Sequence, residues 1–251
     1  MDAFDTPFLV LAVALLAQWL AAYAGDVVRK KIRPFKEDQR KDFDVVLTAA
    51  LTLLGLIIGF SFAMAVTRYD QRKTLEEAEA NAIGTQYVRA DLLPAEHATK
   101  LRDLLRKYLA QRVAFYLAGN DGEVRQINAE TDNLQGELWS TVVHGVSPQQ
   151  TAVEALVISG MNDVLNSQGY TQAAWWNRIP VAAWGLMGLV AISCNLLFGY
   201  GERSRGPLAL VLPIIVSVSF FLIADIDTPR AGIIRVLPQN LLALSQTMKP
   251  L

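Results

Sequence analysis

Four stretches of this chain contain no aspartate, glutamate, lysine or arginine: Phe8 to Ala24, Val45 to Val66, Ile179 to Phe198 and Leu208 to Ala224. A hydrocarbon core about 30 Å thick takes roughly 17–25 apolar helical residues to cross, and each stretch reaches that range. One charge at a helix centre costs about 2.5–3.5 kcal/mol on insertion scales, so four charge-free runs are not accidental. Hydrophobic residues make up 52% of the chain, yet 19% of residues are charged, and those charges crowd between the runs. The expected fold is therefore an all-α membrane protein. Four transmembrane helices flank a helical extramembrane domain inserted between the second and third. Residues 1–67 form the first transmembrane pair, 68–177 the helical domain, 178–226 the second pair and 227–251 a C-terminal tail.

The flanks agree with multi-pass insertion. Trp19 and Tyr23 lie near the end of the first span, Tyr69 follows the second, Trp175 and Trp176 precede the third, and Tyr200 follows it. Aromatic rings with a polar tip favour the headgroup level. Ala22-Tyr23-Ala24 resembles a leader cleavage site, but the flank before the first run carries Asp2 and Asp5 where a leader would be basic, so retention is expected. Orientation is ambiguous. Arg29, Lys30, Lys31, Arg33, Lys36, Arg40 and Lys41 in the first loop, with Arg203 and Arg205 in the last, favour cytoplasmic short loops. Arg68, Arg72, Lys73 and Arg178 pull the other way.

Between the two pairs the periodicity is helical. The second span runs on through Glu76, Glu77 and Glu79, an acidic group expected to solvate the helix, until Pro94 stops it. Leu101, Leu104, Leu105, Tyr108, Arg112 and Phe115 form one stripe, and Val124, Ile127, Thr131, Leu134, Leu138 and Val142 another. Gly119-Asn120-Asp121-Gly122 marks a turn between them. Ser147-Pro148-Gln149-Gln150 reads as the start of a last helix carrying Val153, Leu156, Met161 and Val164 toward a turn at Gly169.

Reactive constellations are missing. His97 and His144 have no companion at metal-ligand spacing, and no nucleophile elbow, phosphate loop or dinucleotide loop occurs. Neither a cofactor, a metal nor catalysis is expected. Asp225 and Asp227, the nearest candidates for an enzyme acting on lipid, are expected instead to anchor the connection to Pro229, with Arg230 or Arg235 as ion-pair partners. A net charge of −1, from 23 basic and 24 acidic residues, gives no bias toward nucleic acid. Cys194, the sole cysteine, is expected to pack as a small apolar residue.

The second span is the informative element. Thr48, Thr52, Gly55, Gly59, Phe62 and Val66 recur at four-and-three spacing and share one helix face. Gly55 and Gly59 form a Gly-x-x-x-Gly pair, which permits close helix packing. In a ring of subunits the same face would instead line a wet axis, with Phe62 as an apolar constriction and Arg68, Arg72 and Lys73 as a basic pore mouth favouring anions. The residues alone leave both readings open.

Gly59-Phe60-Ser61-Phe62-Ala63-Met64-Ala65-Val66-Thr67-Arg68-Tyr69-Asp70-Gln71-Arg72-Lys73, with Glu79-Ala80-Asn81-Ala82-Ile83-Gly84-Thr85, resembles the signature of the bacterial bestrophin-like family. Asp225-Ile226-Asp227-Thr228-Pro229-Arg230-Ala231-Gly232 with Arg235-Val236 resembles that family's segment after its last span. The family's own function is not settled. Its more distant likeness to bestrophins implies a homo-oligomeric channel, a pentamer by resemblance, passing small anions with the second span at the axis. The resemblance also implies a multi-pass protein of the bacterial inner (plasma) membrane. It puts the helical domain in the cytoplasm, against the charge pattern. The paired tryptophans of the bestrophin pore helix and the acidic calcium clasp of animal members have no counterpart here. A non-conducting scaffold or sensor acting through the helical domain is the alternative, in which the lipid bilayer and protein partners are the contacts.

Overall fold

The computed structural model describes residues 6–31, 37–146, 152–201 and 210–248. Every regular element among them is helical: α1 (Pro7–Lys31), α2 (Glu37–Arg89), α3 (Ala95–Leu117), α4 (Asp121–Gly145), α5 (Ala152–Trp176), α6 (Val181–Gly201), α7 (Val211–Asp227) and α8 (Gln239–Thr247). Stretches long and apolar enough to cross a bilayer lie within Pro7–Lys31, Gln39–Leu92 and Ala152–Gly201. The described part of the fourth apolar run is α7, with 17 residues, at the lower end of what a crossing needs.

Local chemistry sets the helix ends. Pro7 opens α1, where its missing N–H costs nothing, and Arg29, Lys30 and Lys31 close it against the negative pole of the helix dipole. A short 3-10 turn over Ala90–Leu92 ends α2 ahead of Pro94. Asn120 caps α4 by accepting from the Glu123 amide at 3.0 Å, and its own side-chain amide donates to Glu123 at 2.7 Å. The expected turn at Gly169 is absent. Helix α5 continues through that residue to Trp176, since a lone glycine costs a helix only about 1 kcal/mol, and Thr171 on the next half-turn donates its hydroxyl to Glu79 at 3.1 Å. The expected helix start at Ser147-Pro148-Gln149-Gln150 lies outside the described residues, as do Arg33, Lys36, Arg203 and Arg205.

The chain divides into two compact units, Met1–Arg68 with Arg178–Arg235, and Tyr69–Asn177 with Val236–Leu251. In the first, α1 packs on α6 and α7. Gly25 and Gly199 bring the α1 and α6 backbones together: a Cβ at Gly199 would stand 1.9 Å from the Ala22 carbonyl oxygen, and one at Gly25 2.1 Å from that of Leu196. Close approach of this kind is what small residues supply where lipid removes the hydrophobic drive for association. Three buried polar side chains add to it. The Gln18 amide donates to the Ser217 hydroxyl at 3.1 Å, and the Asn195 amide donates to the Gln18 carbonyl at 3.0 Å, linking α1, α6 and α7. Cys194 is fully buried in the same bundle.

In the second unit, α3, α4, α5, α8 and the last turns of α2 enclose one apolar core around Ile83, Leu105, Tyr108, Phe115, Leu138 and Met161. The acidic group on α2 does not solvate the helix. Glu79 is fully buried and pairs with the equally buried Arg112 of α3, and it also accepts from Tyr116 at 3.3 Å and Thr171 at 3.1 Å. Arg112 stacks over the Phe115 ring, 4.5 Å from its centroid. Burial opposes charge on Arg112, but attraction to Glu79 and Tyr108 outweighs it and holds its pKa above the ordinary arginine range. Burial also raises the pKa of Tyr108 and Tyr116 above the usual tyrosine range. Glu76 is buried too, accepting from the Leu241 amide at 2.9 Å and from Asn240 at 2.6 Å, so its carboxylate meets the positive N-terminus of α8. Only Glu77 of the three faces solvent. Trp175 is likewise no headgroup anchor: it lies in this core against Phe115 and Tyr116, whereas Trp176 is 73% exposed.

Candidate functional site

Helix α2 runs 53 residues without a break, and little of its apolar portion is covered. Of the apolar window in α2, 11% is buried, against 28% in the last candidate span. The buried residues Leu54, Ser61 and Ala65 repeat at seven and four, so one narrow stripe packs against the rest of the chain. At about 100° per residue, the face carrying Thr48, Thr52, Gly55, Gly59, Phe62 and Val66 lies roughly 120° around the helix from that stripe.

That face is open. Thr48, Thr52, Gly55, Gly59 and Phe62 are exposed and Val66 is half-buried. A Cβ built on Gly55 or Gly59 meets nothing within 4 Å, so among the described residues this Gly-x-x-x-Gly pair packs against no neighbouring helix. The close-packing role belongs to Gly25 and Gly199 instead, on helices whose glycines sit too far apart in sequence to form a motif. Thr48 donates to the Asp44 carbonyl at 2.7 Å and Thr52 to the Thr48 carbonyl at 2.8 Å. Both hydroxyl protons are thus satisfied inside the helix, which lets threonine sit in an apolar segment, and the oxygens keep lone pairs for an outside partner. With Asp44, Val45 and Leu56 the two threonines line an open groove.

The three basic residues expected at the mouth have different fates. Arg68 lies on the packed side of α2, with its guanidinium 3.5 Å from an Asp227 carboxylate oxygen. Arg72 is 1% exposed and donates to the carbonyls of Ala174 at 3.2 Å and Asn177 at 3.1 Å, at the C-terminal end of α5 where carbonyls lack helical partners. Lys73, seven residues after Val66, continues the open face and is exposed, with its ammonium 5.9 Å from the Tyr69 ring. A stretch that reads as a collar of three cations therefore presents one.

Asp225 and Asp227 are both buried. Asp225 accepts from the amides of Ile233 and Ile234, each at 2.8 Å, and the turn between them needs Gly232 at φ 108°. Asp227 accepts from the Ile179 amide at 2.9 Å and pairs with Arg68, a partner the sequence did not suggest, while Arg235 donates to the Gly232 carbonyl at 3.0 Å. No spacing rule links residue 68 to residue 227. A signal for the Gln18, Asn195 and Ser217 group was available, since amide side chains are scarce inside apolar spans. No group of histidine, cysteine, aspartate and glutamate able to hold a metal ion occurs among the described residues.

Comparison with known proteins fits this architecture. A family model described as a bestrophin-like domain matches residues 10–241. A tyrosine-to-alanine variant of a bacterial bestrophin homolog from Klebsiella pneumoniae aligns with a TM-score of 0.64 at 14% identity, over 95% of this chain and 96% of that one. The crystal structure of that bacterial homolog phased by Zn-SAD gives 0.61 at 15% identity, over 96% and 95%. At such identity the likeness is one of fold. No curated protein matches the chain.

Proposed function

The chain belongs to the bestrophin-like family, and we propose that it is a homo-oligomeric membrane channel whose α2 helices line the conducting axis. The observation that carries this reading is the bare face of α2: threonine oxygens, two glycines and Phe62 without cover among the described residues. A face that is neither packed nor wholly lipid-like is suited to a shared, water-filled axis between copies. Four crossings are proposed, by α1, the apolar portion of α2, α6 and α7, with residues 68–177 outside the bilayer of a bacterial inner membrane. By family likeness the ring is a pentamer and the permeant species a small anion. Lys73 is the cation that would supply the preference, and with Arg68 and Arg72 engaged elsewhere that preference is modest.

Phe62 is the proposed constriction. Purified full-length protein reconstituted in planar bilayers is expected to carry current, and Phe62→Ala to raise it by removing the apolar ring. Silence from both proteins would end the channel reading. The second reading, a non-conducting scaffold, draws on the exposed apolar side chains Trp139 and Val143, one turn apart on α4. Silence together with a stoichiometric protein recovered from native membranes would favour it.

A further inference from the structure

We propose that a groove between α1 and α6 is a binding site for one acyl chain of a bilayer phospholipid. The inference rests on membrane insertion of these two helices and not on conduction, so either reading can fail without the other.

Helices α1 and α6 lie side by side and run in the same direction. Gln18 meets Asn195, and further along Gly25 stands against Leu196 and Tyr200. At that end the two backbones touch, and toward their N-terminal ends the helices part. The gap is a groove of about 300 Å³, walled by Leu9, Val13 and Ala17 of α1 and by Trp184, Gly188 and Ile192 of α6. Small residues make the space: a Cβ built on Gly188 meets nothing within 4 Å. The rim is open, with Leu9 at 47% and Ile192 at 43% exposure, so the groove is continuous with the lipid-facing surface.

The lining suits hydrocarbon. It carries no charged side chain, and its one amide, Gln18, is buried and already engaged. That amide donates to Ser217, and its carbonyl accepts from Asn195. An apolar void of this kind does not hold water, and its walls forfeit dispersion contacts until something apolar fills it.

Length selects the occupant. Nine residues separate Leu9 from Gln18 and eight separate Trp184 from Ile192, so the groove runs roughly 12–14 Å at the helical rise. A hydrocarbon core of about 30 Å gives each leaflet about 15 Å, the reach of one chain. Leu9 and Trp184 lie in the first turns of their helices. The groove thus starts at the membrane surface and stops near the midplane, at the polar group of Gln18, Asn195 and Ser217. A helix from a second copy would cross the whole thickness. It is also too broad, at about 80 Å² or more in section against about 21 Å² for the groove.

The test labels the groove from within the bilayer. Full-length protein is reconstituted in vesicles containing a phosphatidylcholine with a diazirine in one acyl chain, and adducts are mapped by peptide mass spectrometry after illumination. Leu186 and Leu189, exposed on α6 outside the groove, report ordinary contact with lipid. Adducts are expected on both groove walls, in several-fold excess over those two leucines. Gly188→Leu fills the space and is expected to lower the groove yield on the order of tenfold, with the outer leucines unchanged. Ala14→Leu narrows the groove from α1 and is expected to do the same, so the outcome does not hang on one variant folding. Equal labelling inside and outside the groove overturns the proposal, since it marks boundary lipid without a site. Groove walls that stay unlabelled overturn it too, because a protein segment then covers them. So does a groove yield that neither substitution lowers.

Discussion

Replacing Glu79 with glutamine tests whether the helical unit is organised around its buried charge pair. The substitution keeps the shape and removes the negative charge that Arg112 meets in a site where both side chains are fully buried. Arg112 has no second acid among the described residues, and its two terminal nitrogens find no acceptor there, so the remaining charge keeps only the Phe115 ring face and a neutral amide oxygen. Breaking one side of a buried pair costs about 3–5 kcal/mol, because the other charge stays behind without compensation. Tyr116 and Thr171, which also donate to Glu79, add to the upper end. For a chain of this size that corresponds to a drop of roughly 6–20 °C in melting temperature. The assay is thermal unfolding of the detergent-solubilised protein, followed by far-ultraviolet circular dichroism. Removing both charges with leucines at 79 and 112 is expected to recover much of the loss, since an apolar pair needs no desolvation. A fall below about 1 kcal/mol for Glu79→Gln would refute the reasoning, and so would a double variant whose loss is the plain sum of the singles.

Gly199→Ala drives a methyl into the Ala22 carbonyl and is expected to cost about 1–3 kcal/mol, whereas Gly59→Ala, with open space around it, is expected to be neutral or slightly stabilising. Thermal shifts of the two proteins side by side check the contrast; equal losses would place the close helix crossing wrongly. Gln18→Leu cuts the link between α1 and the polar groups of α6 and α7, and should destabilise by about 0.5–1.7 kcal/mol, the range for hydrogen bonds between membrane helices. Unfolding in graded denaturing detergent measures it, and no loss would mean the three polar groups contribute nothing net. Burial raises the pKa of Tyr108 and Tyr116, so the folded state resists their ionisation while the unfolded chain titrates near pH 10. Their stabilising contribution is complete below pH 10 and is lost as pH rises from there toward the folded values. Helical circular dichroism is expected to fall together with tyrosinate absorbance in that window, and Tyr116→Phe to delay the fall; ionisation of all seven tyrosines with helix intact would count against it.

The apolar helices were legible from the residues because insertion is close to a local sum. Each residue meets the same hydrocarbon, so a run without charges reports its own environment without knowledge of the rest of the chain. The same locality explains why the stripes on α3 and α4, with Thr131, Leu138 and Val142 buried as a set, follow from periodicity. The open face of α2 was readable as a pattern, but only packing showed that it is uncovered, and that Gly25 and Gly199 make the close crossing.

Charge is where locality fails. The sequence counts Glu76, Glu79, Arg68, Arg72 and Arg112 as polar, and on a single helix a polar residue is assigned to water. In the folded chain four of the five are buried and the fifth largely so, each against a group that lies between 33 and 165 residues away. Desolvating a charge is tolerated only where a specific partner stands at bonding distance, and which partner stands there is fixed by the whole fold. The four charge-free runs thus determine that this is a helical membrane protein. The tertiary structure decides which of its charges stay exposed, because a charge already paired in the interior has little field left to offer outside.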